Sequence, residues 1–202
     1  MNFFEELEEQ RWDDHRYYHH SRINQSLHFL SAICFLCSYV LLFINPIAAA
    51  FFGWILAMTL RQSGHFFFEP LDYDEINQAT HEHKENIKVG YNLRRKVVLI
   101  SIWFATPFIL FLFPDLFGTL NPHSDTYDFV YNLSILWIVL GAAALIFRTV
   151  HLFFIKDVRS GLVWFTKILT DPFHDIKIYH KSPWYLFKGE LMDPMQHIKT
   201  TH

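Results

Sequence analysis

One stretch of this sequence constrains the fold more than any other. Phe29 to Leu60 runs for thirty-two residues without an Asp, Glu, Lys, Arg or His. A helix needs roughly 20 residues to cross a bilayer, at about 1.5 Å per residue. The run is therefore too long for one crossing and slightly short for two. Asn45-Pro46 stands near its middle, and Asn-Pro favours a turn. A tight hairpin follows, with crossings at 25–44 and 47–66. Val97 to Phe117 predicts a third crossing, kinked at Pro107, and Phe129 to Phe147 a fourth. The polar loop Asn121-Pro122-His123-Ser124-Asp125 joins these two.

Charge placement supports this count. Neither the 45–46 turn nor the 118–128 loop contains a Lys or Arg, and all 17 such residues fall on the opposite side. The excess of Lys and Arg marks the cytoplasmic face, so both termini are expected there. The expected fold is an all-α polytopic membrane protein. A four-span domain covers 1–155, with a cytoplasmic insert at 69–96, and a cytoplasmic or interfacial tail covers 156–202. The insert is expected to be largely helical, with a helix starting at Asp72-Tyr73-Asp74-Glu75. The first 24 residues are charged and aromatic and do not read as a signal peptide. The membrane is expected to be a bacterial inner membrane or the endoplasmic reticulum.

Composition agrees. Charged residues make up 18% of the chain, against about 25% in ordinary soluble domains. A net charge of -3 gives no sign of nucleic acid binding, and a chain 51% hydrophobic is neither disordered nor collagen-like. Cys34 and Cys37 form a C-x-x-C pair inside an apolar helix and read as small packing residues rather than zinc or redox chemistry.

The other anomaly is 13 His residues, twelve of them on the cytoplasmic side or at its membrane boundary. His28 begins the first crossing, His65 ends the second and His151 ends the fourth. Residues four apart share a helix face. His20, Asn24 and His28 form one such row, His65 and Glu69 a second, His81 and Glu85 a third. Imidazoles gathered at one level of a helix bundle are a common metal-site arrangement. His19, His20, His28, His65, His81 and His83 are the candidate ligands. Imidazole with a few carboxylates and no available thiolate suits iron, zinc, copper or manganese. A haem needs facing His pairs inside the bundle, and the far side offers only His123.

The residues around the hairpin carry a resemblance. Tyr18-His19-His20-Ser21-Arg22-Ile23-Asn24-Gln25-Ser26-Leu27-His28 opens the first crossing, and Gln62-Ser63-Gly64-His65-Phe66-Phe67-Phe68-Glu69-Pro70 closes the second. This resembles the four-span family of yeast-type 2-hydroxy fatty acid dioxygenases, over roughly residues 17–70. The matching positions are His19, Asn24, His28, Gln62, Gly64, His65 and Glu69. The resemblance implies Fe(II), one ion or two, dioxygen as co-substrate and a lipid or fatty acid shortened by one carbon. His19, His28 and His65 would be catalytic, with Asn24, Gln62 and Glu69 as supporting residues; Glu85 is a supporting candidate from its spacing to His81 alone. Glu69 is also a candidate direct ligand. Arg22 and Arg61, at headgroup level, are expected to meet the substrate carboxylate. The chain departs from the family in the insert 71–96 and in a tail containing His174, His180 and His197.

Two other classes fit parts of the pattern. A di-iron lipid hydroxylase or desaturase needs several histidine boxes, and only His15-Arg16-Tyr17-Tyr18-His19-His20 qualifies. A non-enzymatic metal carrier would want ionisable residues along the spans. Their middles offer only Ser31, Ser38, Thr59, Ser101, Thr106 and Ser134, hydroxyls expected to bond their own helices. A scaffold role predicts no bound metal.

Overall fold

The structure, a computed structural model, describes residues 1–69, 72–75 and 77–195. These residues are mostly helical and contain no β-strand. Helix α1 (Phe3–Tyr18) starts on a reciprocal cap. Asn2 Oδ1 accepts from the Glu5 N–H, and the Glu5 carboxylate accepts from the Asn2 N–H. Helix α2 (Arg22–Leu41) begins at Ser21, whose Oγ accepts from the Asn24 N–H.

After a tight turn, Asn45 caps α3 (Pro46–Ala50), with the proline in the first turn where its missing N–H costs nothing. Helix α3 runs without a gap into a π-helical segment (Phe51–Met58) and then α4 (Thr59–Phe67). The two arms of the hairpin are bonded to each other. Ser31 Oγ donates to Ala57 O and Ser38 Oγ to Ala49 O, both at 2.8 Å. These hydroxyls were expected to bond their own helix. They bridge instead because the arms lie very close: a Cβ added at Gly53 would sit 2.8 Å from Ser38 Oγ. Thr106 and Ser134 do bond within their own helices.

Among the described residues, three helices are long and apolar enough to cross a membrane: α2, α6 (Leu93–Leu112) and α7 (Thr126–Ile155). The segment expected as the second crossing is made of α3, the π-helical turns and α4 rather than one uniform helix. Pro107 lies inside α6 without ending it. Helix α6 stops short of Phe117 because the chain turns there, with φ of 44° at Leu116 and 59° at Phe117. Helix α7 extends past 129–147 at both ends, started by the Asp125 cap. Only 6% of the apolar window of α6 and of α7 is buried, so both present broad apolar faces outward.

The insert is less helical than expected. Before α6, its described residues form one short helix, α5 (His81–Ile87), capped by Thr80. Asp74 turns back to pair with Ala79, so the acidic run starts no helix. The tail corrects the sequence reading further. Helix α8 (Val158–Tyr179) packs against α1, α2 and α7, and α9 (Ser182–Phe187) against α2. Beyond α9 the backbone brackets the start of α2, with Arg22 N–H donating to Leu191 O and Asp193 N–H to His20 O. The tail thus closes one end of the bundle. That end buries polar side chains, including Asn24, Gln25, His28 and Lys84.

Candidate metal centre

His19 follows the last turn of α1, His28 lies one turn inside α2, and His65 lies in the last turn of α4. The three rings meet. Their centroids are 4.1 Å (His19–His28), 4.9 Å (His28–His65) and 5.5 Å (His19–His65) apart. One ligating nitrogen from each lies within 4.8 Å of the others, so this group can hold a metal ion.

The approach of α2 and α4 depends on Gly64. A Cβ there would fall 2.2 Å from Asn24 Oδ1 and 3.3 Å from His28 Cδ2. Asn24 is fully buried, and its Nδ2 donates to Tyr18 O at 2.8 Å, which fixes the turn before His19. Gln25 holds the other side of that turn. Its Nε2 donates to His19 O and to Asp193 Oδ2, and its Oε1 accepts from Arg22 and Ser182.

The outer nitrogens are engaged in a way that leaves the inner ones free. His65 Nδ1–H donates to Glu69 Oε2 at 2.8 Å. His19 Nδ1 lies 2.9 Å from the Tyr179 hydroxyl, which lies 3.0 Å from His15 Nδ1. A hydroxyl has one proton. The consistent assignment has His19 Nδ1–H donating to Tyr179 and Tyr179 donating to His15. His28 Nδ1 faces Asp175 Oδ2 at 3.8 Å, too far for a hydrogen bond. His19 Nε2 and both ring nitrogens of His28 are buried without a partner. Imidazoles that bind a metal through one nitrogen usually donate from the other to a carboxylate or similar acceptor. His19 and His65 have that outer contact in place.

Electrostatics agree for the groups outside the membrane spans. Burial, aided by neighbouring His28 and Arg61, holds the His19 imidazole well below its ordinary range and therefore neutral, the form a metal requires. Burial likewise brings His15 down to about 4, so it keeps an acceptor nitrogen for Tyr179. Burial pushes the Asp175 carboxyl up, but Arg61 at 3.0 Å and His28 outweigh it and bring it down to about 2. Burial raises Glu69, opposed by Lys88 and Lys96. Behind His19 lies a belt of buried charge. Lys167 contacts Asp14 and Asp171, Arg11 is 3.4 Å from Asp171, and Arg61 bonds Asp175.

The remaining expected ligands sit elsewhere. His20 bonds Arg16 O and lies 3.6 Å from Asp74, turned away from the centre. His83 is exposed on α5, and His81 lines a cavity beside Glu69. Glu69 touches His65 on its outer nitrogen, so it acts there as an orienting group. Gln62 Oε1 is buried without a partner, and Glu85 lies 3.3 Å from Lys88. His174 lines the cleft beside the charge belt, and His180 bonds Lys177 O. His197 lies outside the described residues. Neither arginine is open to a substrate. Arg22 is 2.9 Å from Asp193, and Arg61 is clamped by Asp175. Separating such buried partners costs roughly 3–5 kcal/mol.

Sequence reasoning missed Tyr179 and Asp175, and placed His15 only in a histidine box of the di-iron kind. A signal existed: Lys167, Asp171, Asp175 and Tyr179 recur every fourth residue, a polar stripe along one face of the helix. Comparison with protein-family models, curated proteins and solved structures finds no match for this chain.

Proposed function

We propose that the protein is a membrane-embedded, iron-dependent dioxygenase that shortens 2-hydroxy fatty acids by one carbon. The observation that carries this reading is the three-histidine group, with free nitrogens facing one centre and outer nitrogens engaged by Tyr179 and Glu69. Three imidazoles with no thiolate form a donor set that suits ferrous iron and leaves positions open for substrate and oxygen. Iron bound there would supply dioxygen activation beside the 2-hydroxy acid. The C1–C2 bond breaks, the carboxyl carbon leaves as carbon dioxide, and C2 becomes the new carboxyl. One dioxygen takes the four electrons and leaves one water.

The chain's own residues perform the supporting work. Glu69 and Tyr179 orient His65 and His19, and the buried belt beyond them keeps bulk water from that side. Among the described residues one group of side chains meets the spacing for an ion, which supports one metal per chain over the di-iron reading. Four crossings with both termini cytoplasmic remain part of the proposal. The segment 46–67 supports the count because it is continuously helical and antiparallel to α2, and the one-sided Lys and Arg distribution supports the orientation.

The test is metal analysis of the detergent-purified protein and its His65→Ala variant, together with conversion of 2-hydroxyhexadecanoate to pentadecanoate. One iron per chain, oxygen-dependent conversion blocked by a chelator, and loss of both in the variant are expected. Two metals per chain with a hydroxylated product would overturn the reading in favour of the di-iron one.

A further inference from the structure

A cavity of about 70 Å³ lies between α4, α5 and the start of α6, beside His65. Its polar lining is His65, Glu69, His81, Glu85, Lys88 and Lys96. The charges there do not balance by contact. Lys88 is occupied: it lies 3.3 Å from Glu85 and 3.6 Å from Glu69, and it sits over the Tyr18 ring at 3.5 Å. Glu69 is also taken by His65. The Lys96 ammonium makes no hydrogen bond or ion pair among the described residues, its backbone N–H alone donating to Asn92 O. His81 Nδ1 is buried without a partner. An ammonium left unpaired one turn inside an apolar helix is expensive, and such residues mark ligand sites.

We propose that this cavity receives the carboxylate of a long-chain acid, with Lys96 Nζ and His81 Nδ1–H as its donors. Size favours a small anion. A water needs about 10–15 Å³ of such space, so the cavity takes roughly five water-sized atoms. A carboxylate with the adjacent hydroxyl-bearing carbon has five heavy atoms, and a phosphodiester headgroup is larger. The ligand's chain continues along the exposed apolar face of α6 that begins at Val97 and Val98 and includes Ile102. Both donors come from the segment that departs from the resembled family, so acid selectivity resides in the insert rather than in Arg22 or Arg61. The inference rests on the reading above only for the hydroxyl on the acid. The subsite itself stands on the cavity and its unpaired donors.

The test uses the full-length protein in detergent, stripped of metal, and equilibrium binding of two probes, 2-hydroxyhexadecanoate and neutral hexadecane-1,2-diol. The wild type should bind the acid roughly ten- to a hundredfold more tightly than the diol, as one charge-assisted contact provides. Lys96→Met should abolish that preference and leave diol affinity and metal stoichiometry unchanged. Lys96→Arg should retain most of it, and His81→Ala should weaken it. Equal binding of acid and diol by the wild type would overturn the proposal, as would loss of both affinities in Lys96→Met without loss of folding. Acid selectivity through Lys96 in a protein that carries no iron as purified and takes up none when iron is restored would support the subsite and refute the dioxygenase reading alone. Acid shortening by an enzyme indifferent to Lys96 would do the reverse.

Discussion

Replacing Gly64 by Ala sets two effects of opposite sign against each other. Ala is favoured over Gly in a helix interior by about 1 kcal/mol, and Gly64 lies inside α4, so propensity alone predicts a more stable protein. Packing predicts the opposite. The new Cβ would lie 2.2 Å from Asn24 Oδ1, and ordinary contact requires a retreat of about 1 Å. Asn24 is fully buried and tied to Tyr18 O, so it has no free direction in which to move. Overpacking of this kind costs about 1–3 kcal/mol, and losing the amide contact about 1–3 kcal/mol more. The sum exceeds the propensity gain. The same displacement moves His28 away from His65, whereas metal sites tolerate only about 0.2 Å in ligand distance. Competition titration with a chromophoric chelator should show metal affinity reduced at least tenfold, with a lower melting temperature. The double variant Gly64→Ala, Asn24→Ala should recover part of the affinity, because it removes the oxygen in the way. Wild-type metal affinity in the single variant would refute the claim that this close approach holds the ligands together.

Tyr179→Phe and Glu69→Gln should each retain the ligands but lower metal affinity by roughly 10–100-fold, read in the same titration. Unchanged affinity in both would show that the outer contacts do not orient the rings. His15 gives a pH effect. It is neutral when folded down to about pH 4, whereas unfolded it takes its proton near 6.5. The unfolded state then binds more protons inside that window, so this contribution to stability is present above it and lost as pH falls through it. The loss is at most about 3 kcal/mol. Melting temperatures from pH 7.5 to 4 should fall less steeply in His15→Gln than in the wild type.

Much of the site was legible in the sequence because its three ligands flank one hairpin. A hairpin returns to where it started, so His28 and His65 had to meet, and a ligand just before α2 had to lie beside them. Nothing in local spacing distinguished His19 from His20. The choice came from Asn24 and Gln25, which pin the backbone carbonyls of Tyr18 and His19 and thereby aim the side chains. The role of α8 was illegible for a different reason. Its polar stripe was visible, but only long-range packing shows that the stripe faces α1 and α2 rather than water. Arg22 and Arg61 are held by Asp193 and Asp175, which come from the distant tail that periodicity cannot place. The segment expected as the second crossing is helical over 46–67, and its π-helical middle has no signature in the hydrophobic pattern.

The hydrogen bond between His19 and Tyr179 joins residues 160 positions apart. Synthesis at about 5–20 residues per second puts roughly 8–30 s between their emergence. For that interval the nascent hairpin carries all three imidazoles while the hydroxyl and carboxylates of α8 do not yet exist. Metal caught early would be held by the three imidazoles without Tyr179 or the Asp193 clamp, and so more weakly. Any ion taken up by that centre should therefore be held roughly 10–100-fold more tightly once α8 has emerged and packed.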